Sequence, residues 1–110
     1  MFDYDMEFNK GILFIRLKGD LTRKNCLKIN YDLINFINDY KVKYMVYNLY
    51  ELDNLDIFGI DAILNTKYLI NKNKGLMLLC EVPKKVYQLV KRKKLFVVNN
   101  ELTAINMIGI

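Results

Sequence analysis

The sequence contains no serine, no histidine and no tryptophan, a single proline and only two cysteines in 110 residues. Without serine or histidine, neither a Ser-His nor a Cys-His nucleophilic pair can be assembled. Two thiols without an imidazole also fall short of a tetrahedral zinc site, so the sequence implies no metal and no cofactor. Cys26 falls on the apolar face of the first predicted helix and Cys80 ends a predicted strand, and a reduced, buried side chain is expected for each. No apolar run approaches the roughly 20 residues needed to span a bilayer. The first residues, Met1-Phe2-Asp3-Tyr4-Asp5, are acidic where a secretory signal is basic, so a cytoplasmic location is expected.

What is present is globular in character. Apolar residues make up 53% of the chain and charged residues 26%, a balance that supports one packed core and no disordered tract. At this length, residues 1–110 form one domain. Hydrophobic periodicity alternates between two kinds. Phe2 to Phe8 and Ile12 to Lys18 read as strands around a compact turn, Asn9-Lys10-Gly11. Thr22 is placed to cap a helix reaching Tyr40, with Cys26, Ile29, Leu33, Phe36, Ile37 and Tyr40 on one stripe. Tyr44 to Leu49 reads as a buried strand. Ile60, Ile63, Leu64 and Lys67 then share one side of a second helix, with Ile70 a turn further on. Gly75 to Cys80, a third helix begun by Pro83, Leu95 to Val98 and a closing helix from Glu101 complete the alternation. The expectation is an α/β domain with a mostly parallel mixed sheet of about five strands and about four helices.

Charge is uneven. Residues 1–55 carry eight Lys or Arg against eight Asp or Glu, and residues 56–110 carry nine against four, so the net +5 lies in the second half. Lys91-Arg92-Lys93-Lys94 ends the third helix, where cations complement the helix dipole. An acidic protein or a membrane surface is an alternative partner for this run. Nucleic acid is disfavoured, because no recognition motif accompanies it.

Between the buried strand and the second helix lies Leu52-Asp53-Asn54-Leu55-Asp56-Ile57-Phe58-Gly59-Ile60-Asp61, expected as a surface loop from Leu52 to Phe58 on a rigid base. Asp53, Asp56 and Asp61 leave carboxylate acid–base chemistry formally open. A structural role accounts for them better: Asp56 is placed as the helix N-cap and Asp61 lies in the first turns, where the dipole favours negative charge.

The segment Asp56-Ile57-Phe58-Gly59-Ile60-Asp61 resembles the signature of the STAS family, the anti-sigma factor antagonist domains, which runs Asp-Ser-Ser-Gly-Leu-Gly. Gly19-Asp20-Leu21-Thr22, Val82-Pro83 and the closing helix around Ala104 resemble other parts of the family in the same order. The resemblance implies a non-catalytic protein-interaction domain. In the family the second signature serine is the regulatory phosphorylation site, and Phe58 stands at that position here, with Ile57 before it. Neither accepts phosphate, so the motif is degenerate, and Thr66 is the nearest hydroxyl downstream. By resemblance the partner is an anti-sigma factor or a related regulator with a kinase-like fold. The contact residues expected are Asp20, Thr22, Asp53, Asn54, Asp56, Ile57, Phe58, Gly59 and Asp61. Two alternatives are a STAS subunit of a membrane transport complex and a scaffold subunit of a STAS assembly. Self-association stays open beside them.

Overall fold

The computed structural model describes residues 1–109. Nine elements alternate along the chain: β1 (Phe2–Asn9), β2 (Ile12–Leu21), α1 (Cys26–Tyr40), β3 (Tyr44–Leu55), α2 (Ile57–Lys72), β4 (Leu76–Cys80), α3 (Lys84–Arg92), β5 (Val97–Val98) and α4 (Glu101–Ile108). The strands form one sheet in chain order, β1-β2-β3-β4-β5. Only β1 and β2 are antiparallel, closed by a two-residue turn in which Lys10 and Gly11 both have positive φ. That backbone matches the twist of a hairpin. The remaining pairs are parallel, so the expected mixed α/β sheet with four helices is observed.

Alternation within the central strands divides the core. Leu13, Ile15 and Leu17 of β2, with Met45, Tyr47 and Leu49 of β3, pack with the buried faces of α1 and α2. Ile12, Phe14, Val46, Leu78 and Cys80 point to the other side, which Ala104 of α4 covers. Each central strand is therefore buried on both faces, which is why they read as nearly continuous apolar runs.

Several expectations are corrected. The segment from Leu52 to Leu55 is not loop but the end of β3, paired in parallel with Gly19 to Leu21 of β2. Two register shifts in that pairing, with Gly19 at φ +87°, let both strands run past the point where the pleat is regular. Only Asp56 separates β3 from α2. Thr22 does not cap α1. That helix begins at Cys26, and the Asn25 side chain instead accepts from the Thr22 N–H at 2.9 Å and donates to the Asp20 carbonyl. Tyr40 is 62% exposed and stacks on Phe36, with ring centroids 4.5 Å apart, outside the core. Pro83 is the N-cap of α3, one position before its first turn. The last strand is confined to Val97 and Val98.

Candidate functional site

The carboxyl ends of β2 and β3 meet where Leu21 pairs with Leu55, and the two chains then turn away into α1 and α2. Asp56 holds this junction. Its Oδ1 accepts from the Gly59 N–H at 2.8 Å and its Oδ2 from the Arg23 N–H at 3.0 Å, so one carboxylate ties the start of α2 to the turn after β2. Both contacts suit an anion at a helix N-terminus. The expected N-cap is thus present, with a second partner that spacing alone did not show.

Gly59 makes the junction close. A Cβ built there would lie 2.2 Å from the Leu21 carbonyl oxygen and 2.8 Å from Leu55 Cδ1. The first turn of α2 therefore rests directly on the backbone of β2, and Gly59 is buried.

With the backbone fixed by Asp56 and Gly59, the two intervening side chains point outward. Ile57 is 58% exposed and Phe58 45%. The Arg23 guanidinium lies 5.5 Å from the Phe58 ring centroid, a cation–π contact between the two halves of the junction. Phe58 also borders a shallow groove of about 160 Å³ between α1 and α2, lined further by Leu27, Asn30, Asp61 and Ala62. Asn30 bridges the helices, donating to the Ala62 carbonyl and accepting from Asn65 Nδ2, both at 3.0 Å.

The remaining expected residues fall into four places. Asp20 and Asn54 are joined across the strand ends, Asn54 Nδ2 donating to Asp20 Oδ1 at 2.7 Å. Asp53 is exposed and lies 3.8 Å from the Lys85 ammonium at the start of α3. Asp61 is exposed one turn into α2. Thr22 is half-buried, held through its backbone by Asn25. Arg23 and Leu27 border the same surface and were not anticipated, since an arginine in a turn and a leucine off the apolar stripe carry no sequence signal. Leu27 is 81% exposed.

Thr66 lies elsewhere. Its side chain is fully buried, donates to the Ile63 carbonyl at 2.7 Å and shares a 2.7 Å hydrogen bond with the Tyr47 hydroxyl. Burial raises the Tyr47 phenol well above its ordinary range.

The three aspartates stand apart in their surroundings: Asp56 accepts from two backbone N–H groups, Asp53 lies beside Lys85, and Asp61 is exposed on the helix surface. Burial pushes the Cys80 thiol up to about 12, so it stays protonated near neutral pH. Among the described residues no three Cys, Asp or Glu side chains are grouped to hold a metal ion, and no helix is long and apolar enough to cross a membrane. The surface offers an apolar tip on a fixed base, with charge around it.

Comparisons with known proteins converge on one family. Residues 3–104 match the model of the STAS domain. The anti-sigma F factor antagonist of Paenibacillus polymyxa is 29% identical over 105 residues, covering 92% of this chain and 90% of that protein. Among solved structures, a putative anti-sigma factor antagonist from Thermotoga maritima superposes with a TM-score of 0.88 at 12% identity, over 96% of this chain and 93% of that one. The anti-sigma factor antagonist SpoIIAA in its unphosphorylated form gives 0.80 at 20% identity, with both chains covered in full.

Proposed function

This chain belongs to the STAS domain family, and from that premise we propose that it binds an anti-sigma factor through the start of α2 and is not controlled there by phosphorylation. The observation that carries this reading is the pair Ile57 and Phe58, held outward on a backbone that Asp56 and Gly59 fix. An exposed aromatic beside an aliphatic side chain is the composition of an interface anchor. Arg23 beside Phe58, and Asp20, Asp53, Asn54 and Asp61 nearby, provide the polar surround that such an anchor needs.

The proposed lack of phosphorylation control rests on chemistry. From Leu52 to Leu64 there is no hydroxyl, and the next one, on Thr66, is buried. In the family a phosphoryl group of about −1.5 to −2 charge at the signature serine breaks the docked contact. Phe58 leaves nothing for a kinase to modify at the signature position, and the contact made there is constitutive.

The test is capture from the native cell with the whole protein as bait, read by mass spectrometry, with Phe58→Asp bait in parallel. The expected result is an anti-sigma factor retained by the natural protein and lost from the variant. Recovery of a transporter ATPase or of further STAS proteins in its place overturns the reading.

A further inference from the structure

The end of the molecule opposite the Asp56 junction is built from the turns that lead into the parallel strands, and each of these turns is basic. Lys10 occupies the turn before β2, Lys41 and Lys43 that before β3, and Lys74 that before β4, following Lys72 at the end of α2. Residues 91–94, all cationic, close α3 ahead of β5. All nine side chains are exposed, and none forms an ion pair among the described residues. The nearest carboxylate in the sequence is Asp39, in the last turn of α1.

Helix dipoles account for part of this. The carboxyl ends of α1, α2 and α3 lie at this end, each equivalent to about −0.5 charge, so three cations would more than balance them. Nine are present. The backbone supplies a second, independent observation. Lys10, Lys41, Lys74 and Lys94 all have φ between +52° and +61°, one in each turn, and Glu81 is the only other non-glycine residue with positive φ among those described. Glycine and asparagine adopt this conformation more readily than lysine. The chain uses 13 asparagines elsewhere, yet lysine fills all four positions where asparagine would fit the backbone better.

We infer that this basic end is a docking face for an anionic membrane surface. Eight of its nine cations are lysine, which acts as a point charge, whereas arginine is the side chain suited to bidentate recognition of nucleic-acid phosphates and bases. Phe8, Tyr40 and Phe96 lie within two residues of Lys10, Lys41 and Lys94 and are 44%, 62% and 58% exposed. Aromatic rings among lysines suit the headgroup layer of a bilayer. The molecule measures 31 × 27 × 23 Å, so a membrane at this end leaves the Ile57–Phe58 tip facing away and free for a protein. This inference does not depend on the identity of that protein.

The test is flotation of the whole protein with vesicles of phosphatidylcholine, with and without phosphatidylglycerol. Binding is expected only to the anionic vesicles at about 50 mM salt and is lost at about 500 mM. The triple variant Lys41→Asn, Lys74→Asn, Lys94→Asn should fold at least as well, judged by its melting temperature, and bind on the order of 100-fold more weakly. Lys84→Asn, at the opposite end, should bind as the natural protein does. Absence of binding to anionic vesicles at low salt overturns the inference, as does equal binding by the triple variant. Retention on single-stranded RNA without retention on vesicles also overturns it, and makes the face one for nucleic acid.

Discussion

Arg23 and Phe58 meet across the junction of two helices: the guanidinium of one lies 5.5 Å from the ring centroid of the other, while the Arg23 N–H donates to the Asp56 carboxylate. The exposed aromatic is therefore held from both sides of the junction. Substituting it separates binding from folding. Phe58→Asp should weaken the protein complex by about 2 kcal/mol or more, since it places a charge in a desolvated contact. The isolated protein should lose only a few degrees of melting temperature, because aspartate is favourable in the first turn of a helix. Near-complete unfolding of the variant would show that the ring belongs to the core.

Asp56→Ala removes the acceptor from two backbone N–H groups at once, those of Gly59 and Arg23. A lost helix cap costs about 1–2 kcal/mol. Urea unfolding should show a loss at the upper end of that range, with hydrogen exchange faster at residues 23 and 59. Loss of protection at only one of the two amides would mean that the carboxylate does not bridge them.

Gly59→Ala has no room, with Leu21 O 2.2 Å from the new Cβ. The helix must lift from β2, and a cost of about 2–3 kcal/mol follows. A variant with unchanged stability would show that α2 does not rest on the β2 backbone.

Thr66→Val keeps the shape of the side chain and removes the hydroxyl that pairs with Tyr47. A buried phenol without a partner costs about 1–3 kcal/mol, and Tyr47→Phe in the same chain should recover part of it. The same burial keeps Thr66 from a kinase, so incubation with ATP and the partner should leave residues 52–66 unmodified. Phosphate on Thr66 in the folded protein contradicts this.

Acid should loosen α4. Arg16 donates to both oxygens of Glu101 at 2.8 Å, and Asn48 donates to one of them, which holds the Glu101 carboxyl below its ordinary value. A group whose folded pKa is depressed contributes stability above its unfolded value, about 4.3 for glutamate, and loses it as pH falls through the folded value. The stability of the natural protein should therefore decline as pH drops from about 4.3. Glu101→Gln should flatten that decline and leave the remainder of the pH profile in place.

The sequence revealed Asp56 as a cap because an aspartate stood immediately before an apolar period. Phe58 was recognisable as the residue in the phosphoserine position. Its exposure was not, since an aromatic beside a buried glycine fits a core equally well. The extension of β3 through Asp53 and Asn54 was hidden, because both residue types are rare in strands. Here the end of β2 pairs Asn54 with Asp20, the register shift after Gly19 leaves Asp53 as the extra, unpaired residue of β3, and the Asn54–Asp20 hydrogen bond joins the strand ends. Asn25, not Thr22, stands at the N-cap position of α1, and its side chain braces the preceding turn by donating to the Asp20 carbonyl, five residues back, without capping the helix. The basic end was invisible in one dimension, since Lys10, Lys41, Lys74 and Lys94 are brought together only by the parallel sheet.

Neither Ile57 nor Phe58 belongs to the core, and the backbone beneath them is set by Asp56 and Gly59. Folding therefore places almost no selective pressure on the two residues at the tip. If a protein docks there as proposed, substitutions at the tip should register in binding, and substitutions at the clamp in stability. A lineage carrying this junction can change what it recognises in single steps without passing through unfolded intermediates.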